Sequence, residues 1–481
     1  MLRIHLVPRI LNQELLPRMP RNSVSALPTG RLSRMFKLGR MATGIAATAL
    51  NHGARQLGRG ETPTASGALL NPVNAERIAN ELAQMRGAVM KIGQLLSMEA
   101  GDILPRELTD LLARLRDGAH SMPPAQLRGA LAEAWGDQWR DLFQSFNEEP
   151  FAAASIGQVH EAVDLRGRRL AIKVQYPGVA ASIDSDLANV AALLKLFKLV
   201  PPGLDIDPLL EIAREQLHHE TDYQLEASHL QQYRERLAGN DVFRVPEVIE
   251  HLSGPGILAM SFVEGESIET LIAARPQLRD QMATQLIDLC LREFLHWGIV
   301  QSDPNFANFL YDPNTETIGL LDFGALRINE HGRNHSLARL LRAALNQDLP
   351  ELVEAACEVG YIEPSDPFNY RMAVSDLIQT ASEPALNPGQ YEFASSRLSQ
   401  CLSEKLLYLR NNHVFQRIPP ADIIFLHRKL AGIFLLCARV NARVNVRAML
   451  LKHLEQQAFT ASTPDTVTDS RVPEKQSLEY P

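Results

Sequence analysis

The spacing of apolar residues changes character along this chain, and that change limits the folds open to it. After a Gly-, Pro-, Ser- and Ala-rich start to about residue 75, apolar residues recur at helical spacing up to Pro150. Asn74–Met98 alternates polar and apolar residues in this way, and in Glu107–Arg116 Leu108, Leu111, Leu112 and Leu115 stand at i, i+3, i+4 and i+7. Pro123 and Pro124 interrupt the pattern, and a further helix is predicted through Leu127–Trp135. Beyond Pro150 short apolar and β-branched runs predict strands at Ile156–Ala162, Leu170–Gln175, Gly256–Val263 and Thr317–Leu321. Turn formers such as Leu165-Arg166-Gly167 and Gly254-Pro255-Gly256 bound several of them. Long helical segments lie between and after: Ala181–Leu199, Asp207–Ala238, Gln277–His296 and most of Gly332–Leu454. Pro276 precedes the third, where a helix start tolerates it. Helices, then a small strand-rich unit, then a large helical unit is an α+β order, which disfavours a doubly wound dehydrogenase. No internal repeat is visible.

The 481 residues suit two or three cooperating units. Cys290, Cys357, Cys401 and Cys437 form no CxxC pair, so zinc and a disulfide framework lack support and a reducing compartment is the simpler reading. Charge is unevenly spread. Arg3, Arg9, Arg18, Arg21, Arg31, Arg34, Lys37 and Arg40 face only Glu14 in the first 40 residues, a net +7, which leaves −15 elsewhere in a total of −8. A basic leader on an acidic body argues against general nucleic-acid binding. Two readings of the leader stand: contact with anionic lipid, or a solvated disordered segment. No apolar run approaches the roughly 18 residues that span a bilayer; Met41–Leu50 and Gly432–Ala438 are too short. An Arg-rich, acid-poor start suits a mitochondrial transit peptide, but Pro8, Pro17 and Pro20 interrupt the amphipathic helix it would need, so a cytoplasmic protein peripheral at the inner membrane is expected, or one at the mitochondrial matrix face in a eukaryote.

Four short pieces fall in a telling order on this frame. Ala171-Ile172-Lys173 closes an apolar strand, and Glu226 lies on the long helix after it. Asp303-Pro304-Asn305-Phe306-Ala307-Asn308 follows a helix and Gly298, and Asp322-Phe323-Gly324 ends another apolar strand. Singly each has a bland reading: a solvated strand edge, a loop cap, a turn. As an ordered set they match the lysine, helix glutamate, catalytic-loop aspartate and asparagine, and DFG aspartate of protein kinases. The chemistry needs these types. A lysine holds the α- and β-phosphates of ATP, a buried glutamate orients it, and hard oxygen donors hold Mg²⁺.

More specific marks lie elsewhere. Lys91-Ile92-Gly93-Gln94 matches a KxGQ signature, and Ala152-Ala153-Ala154-Ser155-Ile156-Gly157-Gln158-Val159-His160 stands where ordinary kinases carry GxGxxG. Glu220-Thr221-Asp222-Tyr223 with Glu226-Ala227 matches an ExD motif, joined by Gln301-Ser302-Asp303-Pro304-Asn305 and Leu426-His427-Arg428-Lys429. Over residues 75–455 the chain thus resembles the UbiB (aarF-domain) family of atypical kinases, which supports coenzyme Q biosynthesis. The resemblance implies an α+β, protein-kinase-like two-lobed fold with a family-specific helical extension in front and extra C-terminal helices. Residues 1–75 would form a basic, partly disordered leader with one amphipathic helix near Leu32–Leu50, and 76–150 the extension carrying KxGQ. Residues 151–263 would form an N-lobe with the Ala-rich loop and ExD helix, 264–460 a helical C-lobe, and 461–481 a disordered tail.

The resemblance also implies roles. Lys173 holds phosphates and pairs with Glu226, Asn308 and Asp322 bind Mg²⁺, and Asp303 positions or deprotonates the acceptor. Ala152, Ala153, Ala154 and Ser155 line the phosphates, and Ala154 in place of glycine restricts that loop. Glu220 and Glu226, read on one helix, point roughly 120° apart and so serve different partners. By resemblance Glu220 and Asp222 engage Lys91 and hold the Lys91–Gln94 helix over the active site as a regulatory element. Strand position alone assigns the adenine hinge to Met260–Val263.

Departures from protein kinases sharpen the expectation. Gln301 and Ser302 replace the H and R of HRD, no APE motif follows Asp322-Phe323-Gly324, and the chain passes through Ala325-Leu326-Arg327 quickly into helix. A peptide-substrate platform is therefore missing. The expected function is a Mg²⁺-dependent ATPase serving ubiquinone biosynthesis at a membrane surface. The rivals are a nucleotide-binding pseudokinase scaffold and a small-molecule or lipid kinase. Expected partners are ATP/ADP, a prenylated quinone precursor, anionic membrane and biosynthetic proteins, with a homodimer admitted. His218 and His219 beside Glu220 fit no HExxH spacing and read as a solvated face. Met41–Leu50 reads either as a lipid-binding segment or as a bundle-core helix.

Overall fold

The computed structural model describes residues 122–154, 156–196, 207–303, 305–328, 333–411 and 419–462. The basic leader, the Lys91–Gln94 helix, Glu107–Arg116, Ser155 and the tail from Thr463 lie outside the described residues. Two compact units emerge. The first runs to Gly239 and includes Val245–Val263; the second combines Asn240–Arg244 with the chain from Glu264.

The first unit is built on an antiparallel sheet of β1 (Phe143–Phe146), β2 (Ala152–Ala153), β3 (Gly157–Asp164), β4 (Arg169–Gln175) and β6 (Ile257–Ser261), in which β1, β3, β4 and β6 lie side by side and β2 also pairs with β3. Period-two alternation assigns the faces of β4. Leu170, Ile172 and Val174 face a core of Leu127 and Leu131 from α1 (Pro124–Trp135), with Trp139, Phe143 and Ala259. Lys173 therefore takes the other face. The β3–β4 turn is tied by Asp164, whose Oδ1 accepts from the Arg166 and Arg168 amides at 2.9 and 2.8 Å while Gly167 takes φ +78°. Among the described residues three further helices belong to this unit: α2 (Val179–Leu196), α3 (Asp207–Glu220) and α4 (Tyr223–Arg236).

Two expectations need correction here. The helical extension expected over 76–150 ends early, because Phe143–Phe146 already pairs with β3. Its aromatic pair gave no clean alternation to read. The helix expected through Asp207–Ala238 is broken at Thr221–Asp222, so Glu220 and Glu226 stand on separate helices. The break is local chemistry: Thr221 Oγ1 donates to the His218 carbonyl at 2.8 Å, and Asp222 Oδ1 caps α4 by accepting from Leu225 N at 2.9 Å.

The second unit is mainly helical. It comprises α5 (Pro276–Arg292), α6 (Arg333–Asn346), α7 (Leu349–Val359), α8 (Phe368–Ala381), α9 (Leu398–Asn411), α10 (Ala421–Arg439) and α11 (Val446–Ser462), besides shorter turns. Pro276 is the first residue of α5. A π-helical turn, Glu293–Trp297, extends α5 and stops at Gly298, which takes φ +66°. Small ladders interrupt the helices: β5 (Phe243–Arg244), β7 (Glu266–Ser267), β9 (Phe309–Asp312) and β10 (Thr317–Leu320) form one sheet, and β8 (Ile299–Gln301) pairs with β11 (Leu326–Ile328). Of these only Thr317–Leu321 was expected. The chain after Gly324 enters β11 before α6, so its passage into helix is less direct than the sequence implied. No helix among the described residues is long and apolar enough to cross a membrane.

Candidate active site

In the first unit Lys173 Nζ donates to both carboxylate oxygens of Glu226 at 2.8 Å. The glutamate side chain is 1% exposed and the lysine 11%. Glu226 reaches the sheet because α4 starts at Tyr223, whose ring lies 5.2 Å beneath the ammonium. The pair is thus held between a strand and a helix, as a phosphate-holding lysine requires. Register places Lys173 opposite Val159 on β3 and Leu258 on β6, and Met260 opposite Ala171, so Met260 shares the Lys173 face of the sheet. Val263 follows two residues after the end of β6.

The Ala-rich segment is partly a strand. Ala152 and Ala153 pair with Val159 and Gln158, and Ala154 N donates to the Gly157 carbonyl at 2.9 Å, which closes a tight hairpin. Gly157 is sterically required, since a Cβ there would stand 2.3 Å from the Val174 carbonyl oxygen. Gln158 and His160 are buried beneath. His160 Nδ1–H donates to the Asn147 carbonyl at 2.8 Å, its Nε2 accepts from Gln158 Nε2 at 2.8 Å, and Gln158 Oε1 accepts from Met122 N. Burial holds the His160 pKa below its usual value, against the opposing pull of that backbone bond and of Glu148. His218 is exposed beside Asp184, as expected, whereas His219 is half-buried beside Glu215. Asp222 caps α4, and Glu220 closes α3.

In the second unit Gln301 organises the Asp303–Asn308 loop. Its Nε2 donates to the Asp303 carbonyl at 2.9 Å and to the Asp322 carbonyl at 3.1 Å, joining the loop to the DFG-like segment. Ser302 Oγ donates to the Ala325 carbonyl at 2.7 Å. Asn305 caps the turn Phe306–Asn308, Asn308 Nδ2 donates to the Asp303 carbonyl at 3.4 Å, and Leu321 N donates to the Asn308 carbonyl at 3.1 Å. These bonds bring Asp303, Asn308 and Asp322 onto neighbouring backbone. Asp322 Oδ1 accepts from Gly324 N at 2.9 Å.

The donor chemistry suits Mg²⁺. An amide oxygen and a carboxylate are hard ligands, and no group of three His, Cys, Asp or Glu side chains among the described residues could hold a metal alone. Few protein ligands supplemented by phosphate oxygens is the usual arrangement for nucleotide-bound magnesium.

Leu426-His427-Arg428-Lys429 was marked by the resemblance alone, and its support of this loop was not foreseen. Lys429 Nζ lies 3.0 Å from Glu293 Oε2 and donates to Gln301 Oε1 at 3.4 Å, while Arg428 Nη2 donates to Asp303 Oδ1 at 3.1 Å. The available signal was a pair of cations in the middle of a mainly apolar helix, where such residues are buried only when paired.

A strand lysine joined to a helix glutamate in one unit, with an aspartate–asparagine loop and a following DFG segment in the other, defines a kinase-like protein. Residues 114–356 match the ABC1 atypical kinase-like domain. The mitochondrial atypical kinase COQ8 of Saccharomyces cerevisiae is 36% identical over 432 residues, 89% of this chain and 86% of that protein. The mitochondrial atypical kinase COQ8B of Rattus norvegicus is 35% identical over 423 residues, 88% of this chain and 80% of that protein. The solved structure of Rv3197 with erythromycin, from Mycobacterium tuberculosis, aligns with a TM-score of 0.54 at 25% identity, covering 78% of this chain and 95% of that one. The chain belongs to the ABC1 (UbiB) family of atypical kinases. It is an ATP-dependent atypical kinase or ATPase, not an ordinary protein kinase.

Proposed function

We propose that this chain uses Mg·ATP to support ubiquinone biosynthesis at an anionic membrane surface, acting on water or on a small-molecule acceptor. The observation that carries this reading is the buried Lys173–Glu226 pair, which a purely structural strand would not need. Lys173 would hold phosphates, and Glu226 would fix it. Asn308 and Asp322 would hold Mg²⁺, which when bound neutralises charge on the phosphates. Asp303 would orient the attacking hydroxyl and accept its proton. Ala152, Ala153, Ala154 and Ser155 would border the phosphates, and Met260 and Val263 the adenine. Glu220 and Asp222 would regulate access together with Lys91 and Gln94. A prenylated quinone precursor is the proposed client, and the basic leader the proposed membrane contact.

The test separates binding from chemistry. Asp303→Asn should retain nucleotide binding yet fail to restore quinone production in a strain lacking this protein. Full restoration by the mutant would make catalysis dispensable and leave a nucleotide-binding scaffold.

A further inference from the structure

The motif Leu426-His427-Arg428-Lys429 plays no part in the roles above, yet its helix is committed to the catalytic loop. On α10, Asp422, Phe425, Arg428 and Lys429 are spaced i, i+3, i+6 and i+7, which puts them on one face. Each meets the loop or the segment behind it. Asp422 Oδ2 lies 2.8 Å from Arg333 Nε at the start of α6, and the Arg327 guanidinium of β11 sits 4.6 Å from the Phe425 ring centre. Lys429 holds Glu293 and Gln301, and Arg428 holds Asp303. The Arg428 and Lys429 side chains are only 3% and 2% exposed.

A carboxylate rotates easily about its last bond, because that torsion is broad. Gln301 and Asn308 fix only the backbone of Asp303; its side chain needs a separate restraint. A planar guanidinium gives such a restraint with a direction that an ammonium lacks. We propose that Arg428 is a positioning residue for Asp303. It occupies Oδ1 and thereby presents Oδ2 to the acceptor, so the rate of phosphoryl transfer depends on a helix 125 residues downstream of the loop. The inference rests on the assignment of Asp303 as the acceptor-orienting group.

Steady-state phosphate release from Mg·ATP by the full chain tests this, comparing wild type, Asp303→Asn, Arg428→Ala, Arg428→Lys and the double variant Asp303→Asn/Arg428→Ala. Arg428→Ala should lower kcat about 10- to 100-fold while the KM for ATP stays within about twofold. Added guanidinium ion should restore part of that kcat. In the Asp303→Asn background the arginine substitution should produce no further loss. Additive losses, a change confined to KM, or no response to guanidinium would reduce Arg428 to a structural residue and overturn the proposal. If Arg428→Ala does not fold, Arg428→Lys decides: it should lose kcat without changing KM, and wild-type kcat in that variant would refute the geometric role. Asp303→Asn with undiminished kcat, or a wild type without turnover, would remove the assignment of Asp303 and this inference with it. Loss in Asp303→Asn but not in the arginine variants would remove this inference alone.

Discussion

Lys173 and Glu226 are costly residues to bury separately. Their mutual attraction offsets a desolvation penalty, so removing one partner leaves an uncompensated charge worth about 3–5 kcal/mol. Glu226→Ala should therefore lower unfolding free energy in urea by roughly that amount. The double variant Lys173→Met/Glu226→Gln should regain most of the stability but not nucleotide binding. A double variant as unstable as the single one would mean that the pair's packing, rather than its charge, matters. Gly157 makes a second prediction. Its missing Cβ leaves room for the Val174 carbonyl and, at 3.0 Å, the Tyr223 hydroxyl. Gly157→Ala should destabilise by about 1–3 kcal/mol, because a backbone oxygen cannot move aside alone. A neutral effect in thermal unfolding would contradict the close approach.

The strand β3 carries a pH response. Because His160 titrates below its usual value in the folded protein, the unfolded chain takes up that proton first as pH falls through about 6.5. Stability is then present in full above that pH and declines below it. His296, also lowered by burial and by its neighbour His453, acts in the same window. Carboxylates act lower. Burial tends to raise the Asp164 pKa, but hydrogen bonds from Arg168 and Arg166 bring it below the usual value, so its contribution is lost only near pH 4 and below. His160→Gln should reduce the loss of stability below about pH 6.5, leaving the part due to His296, without altering the limb near pH 4; an unchanged profile would show that His160 titrates normally. The elements themselves were legible to different degrees. Leu170–Gln175 and Leu127–Trp135 announced themselves because one face is buried and the period is clean. Three- and four-residue strands carry no period, so Phe309–Asp312 and Ile299–Gln301 went unread, while the equally short Thr317–Leu320 was found from its apolar run alone. Asp222 was legible as an ExD residue but not as the cap that divides the helix, because an Asx cap depends on a backbone turn that spacing does not reveal. Lys173, Glu226, Asp303, Asn308 and Asp322 could be proposed from sequence because the chemistry restricts residue type and order; the structure pairs Lys173 with Glu226 and ties the Asp303 and Asp322 segments through Gln301. Arg428 was legible as part of Leu426-His427-Arg428-Lys429 but its role was not, because it meets Asp303 only through the tertiary fold.

At the scale of the whole molecule the charge asymmetry makes the proposed membrane contact testable. The +7 carried by the first 40 residues opposes the −15 of the remainder, so attraction to anionic lipid should be local to that end and sensitive to salt. Vesicles containing anionic lipid should therefore raise turnover at low ionic strength, and about 1 M salt, where the Debye length is about 3 Å, should abolish the increase. A salt-insensitive increase would assign the contact to apolar groups instead. Family membership supports catalysis without identifying the acceptor, which makes ATP turnover itself the deciding observation. Phosphate release from Mg·ATP by the purified full chain, with and without anionic liposomes and beside an Asp322→Asn control, tests the central claim most directly. Turnover that rises with liposomes and vanishes in the variant is the predicted result; nucleotide binding without turnover under either condition would contradict it.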